Sequence, residues 1–279
     1  MSERSESSGA AGAHLDLRHH LSYADYLGLD DVLGAQHPRT DAHDEMLFII
    51  QHQATELWVK LVLHELRTVA ALVDADELGP AFKSMSRVER VMQGLVSSWD
   101  VLTTMTPADY LSFRAALDTS SGFQSFQFRE LEFVLGNRAS VYLEPFRHEP
   151  ERFARLEAAL HEPSLYDRVI RLLARRGLPV AASLVERDWS VSYEAHPSVV
   201  DAWRVVYREP ETHWDLYELA EDLLDLEDVM RQWRLRHVTT VERIIGLKVG
   251  TGGTAGVPYL RERLQLVLFP ELWTVRTEL

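Results

Sequence analysis

A histidine stands in the middle of an apolar helical stripe in the run Phe48-Ile49-Ile50-Gln51-His52-Gln53. Steps of four and three from Phe48 reach His52, Thr55, Val59, Val62, Leu66, Val69 and Val73, which is one face of an α-helix. A polar side chain on such a face costs free energy unless it finds a partner there, and the plain account is a core histidine satisfied by a backbone carbonyl. His237 repeats the situation: Leu216, Leu219, Leu223, Leu226, Met230, Trp233, His237, Val241 and Ile244 step by the same intervals. Neutral imidazole is a good axial ligand for haem iron, and a haem pocket needs a proximal His and a second polar group over the open face. Two helices that each offer one inward His can enclose such a flat cofactor. Spacing alone leaves both readings open.

Tyr110 and Arg114 are four residues apart, just after a marked helix start, Thr106-Pro107-Ala108-Asp109, with Phe113 and Leu117 on the apolar side. An Arg emerging beside Tyr and Phe can grip a substrate carboxylate bidentately while the Tyr hydroxyl adds a bond. The bland reading is a surface Arg lying on apolar neighbours. Gly250-Thr251-Gly252-Gly253-Thr254-Ala255-Gly256 contains a formal G-x-G-x-x-A, but it follows a long helix rather than a strand, so a dinucleotide fingerprint is rejected. It reads as a flexible loop, or as a lid whose Thr hydroxyls and amides close over a ligand. H-E-x-x-H, E-x-x-H and G-x-S-x-G are absent. His19, His20, His37 and His43 read as solvated rather than ligating, and most of the tryptophans as core by helical phase.

These residues need a helical frame, and the periodicity predicts one. Helices are expected over 44–73, about 80–105, from Thr106 onward, and over 124–135, 151–160, 164–176, 178–190, 196–208, 211–247 and 258–268. Strand alternation is missing, so the fold class is all-α: a long-helix bundle, with the Pro- and Arg-richer stretch 144–210 as a smaller helical insert packed outside it. The helix carrying His237 has Asp215, Glu218, Glu221 and Asp222 early and Arg234, Arg236 and Arg243 late, which matches the helix dipole. At 279 residues the chain suits one large domain, 19–279, after a mobile tail, 1–18. A formal charge of −14 argues against nucleic acid and anionic membranes as partners. The lack of cysteine excludes disulfides, thiolate metal sites and covalent C-x-x-C-H haem attachment, so any haem is held non-covalently. The Ser- and Gly-rich N-terminus has no signal-peptide core, and no apolar stretch is of membrane-spanning length; a cytoplasmic protein is expected.

Several fragments together resemble one family. His43–Trp58 (HDEMLFIIQHQATELW), Tyr110-Leu-Ser-Phe-Arg114, Ser120-Ser-Gly-Phe-Gln-Ser125, Leu135-Gly-Asn137, Trp233-Arg-Leu-Arg-His237, Gly250-Thr-Gly-Gly253, Phe269-Pro-Glu-Leu-Trp273 and Val275-Arg-Thr277 look like the tryptophan 2,3-dioxygenases, in order and with close spacing over roughly 21–279. The resemblance implies a homotetramer binding one non-covalent haem b per subunit, with His237 as the proximal iron ligand. It implies that His52 lies on the distal, catalytic face near the indole N–H, that Phe48 packs on the indole, that Tyr110 and Arg114 hold the substrate carboxylate, and that Thr251 helps hold the ammonium. A neighbouring subunit's N-terminal segment, corresponding to Tyr23, Tyr26 and Leu27, would close each pocket. The implied reaction inserts both atoms of O₂ across the indole C2=C3 bond of L-tryptophan to give N-formyl-L-kynurenine, the first step of tryptophan catabolism by the kynurenine route. Phe128 departs from the pattern, standing where many relatives are expected to have Tyr. Kept beside this reading are a superfamily haem oxygenase acting on a substituted indole in biosynthesis and a haem oxygen-sensing protein. The carboxylate clamp speaks against the second.

Overall fold

The computed structural model describes residues 19–279, and every described element is helical. The mobile tail expected over 1–18 lies outside the described residues. The chain divides into two compact units, Met1–Arg39 and Thr40–Leu279. The first carries two short helices, α1 (Tyr23–Leu27) and α2 (Leu29–Leu33). Ser22 caps α1 through a reciprocal bond with Asp25, and Tyr23 and Tyr26 each leave about three-quarters of their surface exposed.

The second unit begins with α3 (His43–Ala75), which doubles back through Asp76 into α4 (Leu78–Leu102). Asp76 adopts the left-handed region (φ 62°), which Asp tolerates better than most residues, and its carboxylate takes a two-bond grip from Arg176 at 2.7 and 2.6 Å. Then follow α5 (Pro107–Phe113), a 3₁₀ turn at Arg114–Leu117, α6 (Phe126–Val134), α7 (Pro150–His161), α8 (Leu165–Arg175), α9 (Ala182–Val185), α10 (Pro197–Arg208), α11 (Trp214–Ile245), α12 (Val257–Glu262) and α13 (Pro270–Glu278).

α3 and α11 both pack on α4. Val62, Leu66, Val69 and Val73 of α3, Val88, Met92 and Leu95 of α4, and Leu219, Leu223 and Met230 of α11 share one core, which explains the two apolar stripes. Thr55 is accommodated on its stripe by donating to the Gln51 carbonyl at 2.9 Å. Within 144–210, α8 and α10 supply Val169, Leu172, Trp203 and Val206 to this same core, while α7 and the turn before it build a smaller cluster around Phe133, Tyr142 and Phe146.

The structure differs from expectation in three places. The helix expected over 178–190 shrinks to α9. Its apolar spacing is used by an irregular segment instead, in which the Ala181 amide donates to Ser198 and Arg187 reaches Asp167. A terminal helix, α13, forms without a side-chain cap. It is fastened by two buried carboxylates. Glu227 of α11 accepts from the Leu268 and Phe269 amides and the Trp273 indole (3.1, 3.0 and 2.9 Å), and Glu271 accepts from Tyr166, Tyr193 and the His196 amide. Trp58 and Trp214 are exposed rather than core, Trp214 lying stacked on Tyr217. No described helix is long and apolar enough to cross a membrane.

Candidate functional site

A cavity of about 550 Å³ opens between α3, α4 and α11, with α5, α6, the 120–125 segment, the 250–256 loop and α12 as further walls. This volume is within the ~300–1,000 Å³ usual for cofactor and ligand sites. Both singled-out histidines line it.

His52 Nδ1 is 2.7 Å from the Phe48 carbonyl oxygen one turn back. A carbonyl only accepts, so Nδ1 carries the proton and Nε2 keeps its lone pair. The ring retains exposed surface, but it lines the cavity, and the surrounding protein desolvates the charged form. Burial therefore lowers its pKa, against partial opposition from the Phe48 bond and the Glu56 charge. Glu56 itself is engaged by Ser125 and Gln127.

His237 is more strongly affected. Burial, with smaller contributions from His52 and Arg129, lowers its pKa to about 4, so the imidazole is neutral at ordinary pH with a lone pair to give. Among the described residues none hydrogen-bonds its ring. Instead the Trp99 indole of α4 lies parallel to it, centroids 4.9 Å apart and planes 15° apart, and Trp233 stands 5.3 Å away.

A second corner of the cavity gathers the carboxylate-binding candidates. Thr106 and Asp109 close a capping box that starts α5 and sets Tyr110 into the wall, where burial holds the phenol above its ordinary pKa despite the neighbouring Arg114. Phe48 packs here too, 4.1 Å from the His52 ring, 6.0 Å from Tyr110 and 5.5 Å from Phe113. Arg114 opens the 3₁₀ turn rather than continuing the α-helix, and it is not among the residues that line the cavity. Its Nη2 donates to the Val249 carbonyl at 2.7 Å, while its Nε is buried without a partner. The 250–256 loop is fastened on its other side as well, since the Thr251 hydroxyl donates to the Ser120 carbonyl at 2.5 Å. Two of its glycines are demanded by space. A Cβ on Gly252 would come within 2.6 Å of the Ser121 Cβ, and one on Gly256 (φ 68°) within 2.5 Å of the Lys248 carbonyl oxygen.

The structure thus brings Phe48, His52, Tyr110, Thr251 and His237 to one cavity with Arg114 at its edge. Tyr23, Tyr26 and Leu27 belong to the first compact unit and are exposed there. Phe128 lines the cavity with its ring 4.9 Å from Trp233. Sequence reasoning missed the wall residues Arg129 and Glu132, a buried ion pair extended by Asn137, and the role of Trp99 beside His237. The visible signal was polar residues recurring beside Leu131 and Phe133.

The site fits a haem. Its walls are mainly apolar and aromatic, one neutral imidazole faces it from α11, and a second reaches in from α3. Among the described residues no three His, Asp or Glu side chains gather to hold a bare metal ion. A single axial nitrogen suffices when a macrocycle supplies the remaining ligands.

Comparison with known proteins agrees. The family described as tryptophan 2,3-dioxygenase matches residues 8–279. A tryptophan 2,3-dioxygenase of Cupriavidus necator is 58% identical over 276 residues, covering 99% of this chain and 94% of the relative. One from Burkholderia pseudomallei is 60% identical over 267 residues, 96% of this chain and 87% of the relative, and one from Burkholderia mallei is 59% identical over the same length.

Proposed function

The chain belongs to the tryptophan 2,3-dioxygenase family, and from that premise we propose a division of labour for its cavity in the conversion of L-tryptophan and O₂ to N-formyl-L-kynurenine. Haem b, bound without covalent attachment, would supply the redox-active iron for the reaction with dioxygen. His237 would hold its iron: the imidazole is neutral and faces the cavity from α11.

The chain's own residues orient the substrate and keep water away from it. His52 accepts the indole N–H at Nε2, a role supported by the proton that the Phe48 carbonyl holds on Nδ1. Phe48 lies against the indole face. The Tyr110 hydroxyl and the Arg114 guanidinium take the carboxylate, Tyr110 as a neutral donor, and Thr251 contributes to the ammonium end. For Arg114 this means leaving or sharing the Val249 carbonyl, so carboxylate binding and the 250–256 loop are linked. No titratable group has to cycle, because both oxygen atoms end in the product and no external electrons are consumed. Tyr23, Tyr26 and Leu27 of a neighbouring subunit complete the pocket in a homotetramer, and the protein works in the cytoplasm.

The observation that carries this reading is the pair of histidines, from two helices, on one cavity that also holds Tyr110 and Thr251. Incubating the reduced, haem-loaded protein with L-tryptophan and O₂ is expected to produce N-formyl-L-kynurenine. The substrate assignment is tested by comparing kcat/KM for L-tryptophan and a simple alkylindole in wild type and Arg114→Ala. A charge-assisted bond contributes about 1.5–3 kcal/mol, so tryptophan turnover should fall about ten- to a hundredfold while the alkylindole changes little. A wild-type preference for the alkylindole would instead assign the site to a substituted indole.

A further inference from the structure

A histidine that ligates a metal is ordinarily held by a hydrogen bond from its second nitrogen to a carboxylate, a backbone carbonyl or water, which fixes the tautomer and the ring plane. His52, the non-ligating histidine of the proposed site, has such a bond to Phe48. His237 has none from any described residue. The terminal torsion of a histidine side chain is broad and poorly constrained by the helix that carries it. Something else must set the plane of this ring.

That something is within contact. The Trp99 indole covers one face of the His237 imidazole at 4.9 Å and 15°, and Trp99 is itself 8% exposed and braced by Trp233 at 5.9 Å. The two rings come from different helices, α4 and α11, which pack through one core and are bridged one residue away on each by the exposed ion pair of Asp100 with Arg236. The indole N–H is buried without an acceptor, so hydrogen bonding does not explain the arrangement. We propose that Trp99 is a positioning residue for the iron-binding imidazole, holding the ring plane of His237 by π-stacking where a hydrogen bond is customary. The inference rests on the assignment of His237 as the axial ligand. Because the stack is neutral, the imidazole is held without the added basicity that a carboxylate partner confers.

Two variants separate the stack from the N–H: Trp99→Phe keeps an aromatic face and removes the donor, and Trp99→Leu removes the face. In the ¹³C-histidine-labelled chain without haem, the ring C–H protons of His237, assigned by their loss in His237→Gly, should carry an upfield ring-current shift. That shift should shrink in Trp99→Phe and fall in Trp99→Leu to the part contributed by Trp233. In the ferrous haem-loaded protein, the iron–histidine stretching band should stay near its wild-type position in Trp99→Phe. It should shift or broaden in Trp99→Leu, with haem loss about two- to tenfold faster. Far-UV circular dichroism monitors folding, and if Trp99→Leu does not fold, the Trp99→Phe shift in the haem-free chain decides. His237 shifts unaltered by either substitution, or an unaltered stretching band in a folded Trp99→Leu protein, would overturn the proposal. A stretching band that persists in His237→Gly would remove the axial-ligand assignment instead, while the haem-free spectra would still report whether the stack exists.

Discussion

A single backbone carbonyl limits what His52 can do. By accepting from Nδ1 at 2.7 Å, the Phe48 carbonyl leaves Nε2 as an acceptor, and desolvation lowers the ring's pKa. The residue is therefore suited to orienting an N–H donor, and its replacement should cost one hydrogen bond. His52→Ser is expected to lose about 0.5–1.5 kcal/mol, roughly a tenfold drop in kcat/KM, with haem retained. Complete loss of turnover with haem and tryptophan still bound would make His52 an obligate acid–base group. The two histidines were legible from spacing because each interrupts a stripe of period 3.6, and that irregularity survives in a bare sequence. Trp99 was not legible as their companion. A tryptophan in phase with Leu95 and Leu102 looks like any core residue, and only the packing of α4 on α11 brings its face to His237.

At the scale of elements, the sequence marked the long helices well and the short ones poorly. α3, α4 and α11 have enough turns for their period to stand out, whereas α9 and α13 depend on partners far along the chain. Glu227 shows the difficulty: it stands beside Leu223 and Met230 on the inward side of α11, yet a carboxylate there reads as a surface residue until the amides of Leu268 and Phe269 are seen to surround it. α11 also contains a liability. Asp222 is half-buried amid Glu218, Asp225 and Glu89, one of its oxygens has no partner, and burial followed by those charges raises its pKa to about 7. The folded state thus holds this proton more tightly than the unfolded chain. The contribution to stability is full below the ordinary carboxylate range and is lost as pH rises through about 7. Asp222→Asn should accordingly raise the thermal midpoint at pH 8 by about 2–4 °C, which allows for solvent screening at a half-exposed site. The gain should fade as the pH is lowered toward 5. A gain of equal size at both pH values would show that Asp222 titrates normally.

Over the whole molecule, α3 and α11 each present a histidine to a cavity of about 550 Å³, and a ligand bound there joins the helices that make the core. Anything that binds only the folded chain stabilises it by RT ln(1 + [L]/Kd), about 2.7 kcal/mol at a hundredfold excess over Kd. Haem should therefore raise the unfolding midpoint of the wild type by several degrees. His237→Ala should fold with the same helical circular dichroism yet show little of that rise and little retained haem. Full haem retention with unchanged ferrous spectra would place the axial ligand elsewhere. The all-helical class follows from periodicity, and spacing alone singles out His52, His237, Tyr110 and Arg114 as candidates. The way Arg114 and Thr251 are occupied follows from neither, because both bonds run to backbone carbonyls, which no side-chain pattern records.

The loop beside Tyr110 and Arg114 has a consequence for anyone seeking to evolve a new substrate range. Gly252 and Gly256 leave no room for a methyl group, the first against Ser121 and the second against the Lys248 carbonyl. A randomised library spanning 250–256 would spend most of its members on chains that cannot close the loop. Diversity placed instead at Phe48 and Phe128, whose rings form part of the cavity wall on well-packed helices, would sample altered pocket shapes while leaving the loop's two anchors in place.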